Sequence, residues 1–321
     1  MANKSQSASA GHSNGLSQLS NTTGHGDRRE PGGTSFAQKY KMAADRNNSL
    51  LCVGLDPRPD LMPDDIDPFE FIREVIDATR DFVCAYKPNA AFFEAFGPDS
   101  WKFLANTIEN IKDLPDAIPV LLDGKRGDIG ETSAFYAHAM FQWLGADAVT
   151  VNPYLGQDAL EPFFDYENQH TFVVCLNSNP GASQIQLLEL AGTQGSLLYQ
   201  HVAGLANDWN SQGAGNVGLV VGATYPRQAR EIRDLCPDLL MLVPGVGFQG
   251  GDVQEAVTAT LNDASGGILV NASRSVLYAG REHDDYRQNF ARYARAAAER
   301  LRDQINEARQ TTAVAPEAVI P

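Results

Sequence analysis

The most telling features of this 321-residue chain are the things it has little of. No apolar run approaches the roughly 18 residues that a membrane-spanning helix needs. The N-terminus has no basic stretch followed by an apolar one, so nothing there reads as a secretory signal. With neither span nor signal, a cytoplasmic protein is expected. Positive charge is also scarce: 25 Lys and Arg face 40 Asp and Glu, for a net charge of −15. Nucleic acid and anionic membrane are poor partners for such a chain, because phosphate backbones and headgroups select a basic footprint. The four cysteines are Cys52, Cys84, Cys175 and Cys236. No two form a CxxC pair, and no Cys/His cluster has zinc spacing, so buried, reduced thiols and no metal site are expected.

Residues 1–34 hold Ser, Asn, Gly, His and Thr with almost no large apolar groups. Such a segment buries too little surface to offset its ordering entropy and reads as a disordered tail. Residues 309–321 read as a second, shorter flexible tail. Between them, over 35–308, eight short apolar runs recur: 50–56, 83–89, 119–125, 148–153, 171–178, 218–224, 239–247 and 267–273. Segments with helical periodicity separate them, at 68–81, 98–112, 131–143, 157–165, 183–210, 226–235, 252–261 and 284–308. Continuous apolar strands alternating with helices predict a parallel sheet covered by helices. Eight such units predict an α/β fold of the closed (β/α)8 type, a TIM barrel. A doubly wound open sheet is the competing arrangement, but no GxGxxG follows the first strand.

Each apolar run ends in polar residues or glycine, and a barrel places its active site at the carboxyl ends of its strands. Asp56, Lys87, Asp123 and Lys125 therefore converge as a row of alternating charge on three neighbouring strands. Asp123 and Lys125 lie two apart, which in a strand puts both on one face. The chain has only seven lysines, and two of them end adjacent strands. Arg126-Gly127-Asp128 also spells a short adhesion tripeptide, which chance produces often. At the far side, "PGVGFQGGD" (244–252) and "NASRS" (271–275) follow the seventh and eighth strands, where barrels frequently bind phosphate. Gly-rich backbone admits an anion, and Arg274 adds a forked donor.

The run Asp123-x-Lys125-x-x-Asp128 after a third barrel strand resembles orotidine 5'-phosphate decarboxylases. Its Lys-Arg-Gly-Asp wording resembles the second bacterial and archaeal subgroup of that family. "GLDPRP" (54–59), "YKPNAAFFE" (86–94), "NSNPGA" (177–182), "VVGATYP" (220–226), "PGVGFQGGD" and "NASRSVLYAG" (271–280) carry the same resemblance, which spans about 37 to 305. It implies decarboxylation of orotidine 5'-monophosphate to UMP without metal or organic cofactor. It further implies Lys125 as proton donor, Asp123 beside the departing carboxylate, and Lys87 orienting the array and contacting ribose. Asp56 is implied as a ribose ligand, Ser178 as a pyrimidine ligand, and Gln249 with Arg274 as the phosphate grip. Asp128 and Thr132 are implied to reach a partner's site, which would make the enzyme a homodimer with shared sites. The chain departs from the pattern at Gly124, where Ala is more usual, and at Asn177, where Thr is. A Mg2+-dependent sugar-phosphate decarboxylase or aldolase on a related barrel is the alternative, since such relatives share Asp-x-Lys-x-x-Asp. A non-catalytic binder on this fold would have no use for the three rim charges.

Overall fold

The computed structural model describes residues 33–192, 196–246 and 251–314. The tails expected at 1–34 and 309–321 thus lie mostly outside the described residues, as does Gln249. Eight strands form one sheet: β1 (Leu51–Leu55), β2 (Ala85–Pro88), β3 (Leu121–Arg126), β4 (Ala148–Val151), β5 (His170–Leu176), β6 (Val217–Val221), β7 (Met241–Pro244) and β8 (Ile268–Ala272). They lie in the order β2-β1-β8-β7-β6-β5-β4-β3, and every pairing is parallel. Two single bridges, Tyr86 to Val120 and Asn89 to Asp123, link β2 to β3 and bring the ends of the sheet together. This is the (β/α)8 barrel that the alternation predicts.

The strands β1, β4, β6 and β8 are buried at every residue. One face of each fills the barrel and the other lies under helices, which is why the runs read as continuously apolar rather than alternating. Helices sit between consecutive strands, and their buried residues recur at three and four, as Phe71, Ile72, Val75, Ile76 and Thr79 do in Pro68–Thr79.

Four stretches depart from the expected pattern. A helix at Phe36–Asn47 precedes β1 and has no counterpart in the expected series. Its periodic residues are few, Phe36, Tyr40 and Ala43, within a polar segment. Ser35 and Gln38 close its first turn as a reciprocal capping box. It covers the amino ends of the strands, where the Tyr40 hydroxyl donates to the Ile268 carbonyl at 2.9 Å and Lys39 Nζ meets Asp147 Oδ1 at 2.5 Å. The helix expected over 183–210 is instead a 3-10 turn at Pro180–Gln184 and a helix at Leu198–Gln212. Between them Glu189 and Leu197 form a single antiparallel bridge, and Gly192 takes φ +83 in a turn. The helix expected at 157–165 shortens to Glu161–Phe164. The last helix runs from Tyr286 to Val314, past the expected boundary at 308. Arg309 Nε donates to the Ser265 carbonyl at 3.0 Å and ties that extension to the barrel.

Candidate active site

The carboxyl end of β3 does not continue as regular strand. Its pairing with β4 is in register at Leu121 and Leu122, then slips before Arg126 meets Val151. Within this bulge Lys125 has φ +46, the left-handed region that costs an L-residue energy. The period-two expectation for Asp123 and Lys125 is met through this distortion. Their side chains do reach one another, Lys125 Nζ lying 2.6 Å from Asp123 Oδ1. Gly124 sits between them, and a methyl group there would stand 2.7 Å from the flexible end of Met140. Past the bulge, Gly127 lets the chain run close to the Asn152 carbonyl, which an added Cβ would approach to 2.8 Å.

Asp123 is the hub. Its Oδ2 accepts from Lys87 Nζ at 3.1 Å and from Asn89 Nδ2 at 3.4 Å. Its Oδ1 accepts from Lys125 Nζ at 2.6 Å and from Thr150 Oγ1 at 2.7 Å. Burial alone would raise the carboxyl's pKa, but Lys87 and Lys125 outweigh it and hold the group well below the usual carboxylate range. Lys87 is the mirror case. Burial would strip its proton, yet Asp123 and then Asp56 hold the ammonium above the ordinary lysine value. The two lysines differ in setting: the side chain of Lys87 is 4% exposed and that of Lys125 is 45% exposed. One cation is buried beside Asp123 and the other is half in solvent, and both line the cavity.

These groups line a cavity of about 490 Å3 with Asp56, Asn89, Ser178, Asn271 and Arg274. That volume suits a nucleotide-sized ligand. On its opposite wall Ser178 Oγ donates to the Pro244 carbonyl at 3.2 Å. Gly222 makes room for this serine, because a Cβ there would come within 2.5 Å of Ser178 Oγ. Asn177 keeps its backbone in place by donating N–H to Gln186 Oε1 at 2.8 Å. Gly245, with φ +97, together with Ser273, Arg274 and Ser275, forms the lip after β7 and β8. Asp56 Oδ1 and Asn271 Oδ1 are buried acceptors with no hydrogen-bond donor among the described residues. Such atoms are costly unless water or a ligand donates to them, and both line the cavity.

The structure thus gathers Asp56, Lys87, Asp123, Lys125, Ser178 and Arg274 around one cavity. It does not bring Asp128 or Thr132 there. Asp128 Oδ1 accepts from the adjacent Ile129 N at 2.7 Å, and Thr132 is exposed on the helix Gly130–His138. Arg126 of the adhesion-like tripeptide is paired with Glu94 and donates to the Gly124 carbonyl at 3.2 Å, so it braces the bulge. Sequence reasoning places Asn89 at the polar end of the second run without giving it a role, and misses Thr150 and Asn271. Asn89 reads as an ordinary helix cap, which it also is. Thr150 reads as a β-branched strand former. Asn271 offered a signal, a polar residue inside the apolar run of β8. Among the described residues no group of three or more His, Cys, Asp or Glu could hold a metal ion.

Fold and site together define a (β/α)8 barrel whose ligand pocket pairs a buried charge array with a Gly- and Arg-lined lip. Residues 49–289 match the family described as "Orotidine 5'-phosphate decarboxylase / HUMPS family", and the chain belongs to that family. It is 48% identical over 280 residues to the orotidine 5'-phosphate decarboxylase of Roseiflexus castenholzii, covering 85% of this chain and 98% of that one. With the enzyme of the same name from Thermomicrobium roseum it shares 49% identity over 284 residues, 87% and 98% of the two chains. The solved structure of Leishmania donovani OMP decarboxylase superposes with a TM-score of 0.74 at 38% identity, covering 86% of this chain and 99% of that one.

Proposed function

We infer that this protein removes CO2 from orotidine 5'-monophosphate to give UMP, the last step of de novo pyrimidine nucleotide biosynthesis. The observation that carries the reading is the Lys87–Asp123–Lys125 array, set in a nucleotide-sized pocket of a chain from this family. The Lys-Arg-Gly-Asp run at 125–128 supports membership of the second bacterial and archaeal subgroup.

The chemistry follows from charge placement. The bond from the pyrimidine ring to its carboxylate breaks, CO2 departs, and the electron pair stays on the ring carbon. Lys125, the more exposed cation, stabilises that pair as it develops and then gives it a proton. Solvent returns a proton to the amine. Asp123 lies beside the substrate carboxylate, and like charges held close disfavour the bound ground state. Its firmer role is to hold Lys125 in place. Lys87 fixes Asp123 from below and, with Asp56, meets the ribose hydroxyls. Ser178 addresses the pyrimidine edge. Arg274, with Gln249 beyond the described residues, grips the phosphate. No step in this scheme calls for a metal or organic cofactor.

Asp128 and Thr132 act in the site of a second copy, which makes the enzyme a homodimer. Their position away from this chain's own cavity supports that reading. So do the exposed apolar residues around them, Ile129 at 64%, Phe135 at 49% and Tyr136 at 38%. Among the described residues no helix is long and apolar enough to cross a membrane, and the reading places the enzyme in the cytoplasm. Expression in a pyrimidine auxotroph lacking this decarboxylase tests the function. Growth without uracil is the expected result. No growth despite soluble expression would refute it.

A further inference from the structure

We propose that Thr150 is a positioning residue for the decarboxylation, its hydroxyl setting where the Lys125 ammonium stands by joining the Lys125 main chain to the Asp123 carboxylate. The inference rests on the decarboxylase reading above and adds a residue to it.

Thr150 belongs to β4 and is fully buried. It does not line the cavity, so it acts through other groups rather than on substrate. A threonine hydroxyl has one proton to give and lone pairs to accept with. Here both capacities are used. Oγ1 donates to Asp123 Oδ1 at 2.7 Å and accepts the Lys125 N–H at 2.9 Å. That N–H lies in the bulge, where the β3–β4 register slips. The Thr150 hydroxyl supplies the partner there, and the backbone ladder resumes when Asn152 N donates to the Arg126 carbonyl at 2.8 Å. One side chain thus fixes two things. It holds the left-handed turn that aims the Lys125 side chain, and it fills one of the acceptor positions of Asp123. With Lys125, Lys87 and Asn89 it gives the carboxylate four donors, two on each oxygen. A carboxylate with both oxygens engaged in this way cannot rotate, and the proton donor paired to it stays in register with the reacting carbon.

Valine has nearly the same shape as threonine but no hydroxyl. Thr150→Val leaves the packing of β4 and frees the Lys125 turn. Misplacing a reacting group by about 1 Å can cost roughly 100-fold in rate, so kcat for orotidine 5'-monophosphate is expected to fall about 10- to 100-fold. KM and the Kd of UMP, which report on binding groups Thr150 does not touch, should stay within about threefold. Thr150→Ser keeps the hydroxyl and should return most of kcat. Thr150→Ala repeats the deletion if the valine variant does not fold. A kcat within twofold of wild type for the folded deletion variant would overturn the proposal. So would a serine variant as slow as the valine one, or a loss matched by a smaller folded fraction in circular dichroism. Wild-type turnover separates the two claims. An inactive wild type would remove the decarboxylase reading and this role with it, whereas an active wild type beside an undiminished Thr150→Val would remove only the role of Thr150.

Discussion

Replacing either lysine of the array removes one cation from Asp123, yet the two replacements should fail in different ways. Lys87 is almost fully buried and so is Asp123. Lys87→Met leaves a buried carboxylate whose nearest remaining cation is half in solvent. Breaking a buried pair from one side costs about 3–5 kcal/mol. At this chain length each kcal/mol lowers Tm by about 2–4 °C, so a fall of roughly 6–20 °C is expected. Lys125→Ala removes the exposed partner and leaves Asp123 with Lys87, Thr150 and Asn89. With Lys87 still paired to the carboxylate and Lys125 half in solvent, the loss should approach the about 0–1 kcal/mol of exposed pairs, so melting should move by a few degrees at most. Activity runs the other way. A positioned general acid contributes about 10²–10⁴-fold, and a charge aimed at the developing carbanion about 10²–10³-fold, so Lys125→Ala should lose at least about 10⁴-fold in kcat. Calorimetry and turnover on both variants check this. A Lys87→Met protein as stable as wild type, or a Lys125→Ala protein with near-normal kcat, would refute the division of labour.

Three other outcomes are expected. Arg274→Ala should weaken nucleotide binding by about 10- to 150-fold, the worth of a charge-assisted hydrogen bond of about 1.5–3 kcal/mol, while a substrate lacking phosphate loses far less; equal losses for both would remove Arg274 from the phosphate grip. Lys125→Ala and Asp128→Ala proteins, each inactive, should regain about a quarter of wild-type activity when mixed and allowed to exchange subunits, because half the dimers are hybrids with one intact site; no recovery after proven exchange would count against shared sites. Asp123 has its pKa depressed in the folded state and Lys87 has its raised. The contribution of Asp123 is therefore complete above its unfolded value of about 4 and fades as pH falls further, while that of Lys87 is complete below about 10.4 and fades as pH rises through its folded value. Denaturation midpoints at pH 3 and pH 7 should differ less in Asp123→Asn than in wild type, and identical differences would contradict this.

The barrel was legible because most strand residues are buried on both faces and so appear as nearly unbroken apolar runs of the right length. The rim charges were legible because they terminate such runs. The helix Phe36–Asn47 has a thin stripe, three buried residues in a polar segment; it is held by Phe36 packing on His170 and Phe172, by its cap, and by Lys39 and Tyr40 reaching the barrel floor. The roles of Thr150 and Asn89 were not legible for another reason. Each has an ordinary local role, strand former or helix cap, and the second role exists only once β2, β3 and β4 lie side by side. The bulge that gives Lys125 its positive φ is likewise a product of strand pairing, with only Gly124 and Gly127 hinting at it.

The most direct test of the central claim is an absorbance assay of the purified chain with orotidine 5'-monophosphate in EDTA, with UMP and CO2 quantified. The account predicts turnover with one UMP formed for each CO2 released, undiminished by the chelator. No turnover in EDTA, but turnover of a sugar phosphate once Mg2+ is supplied, would contradict it and make the charges at 123–128 a metal and enediolate site.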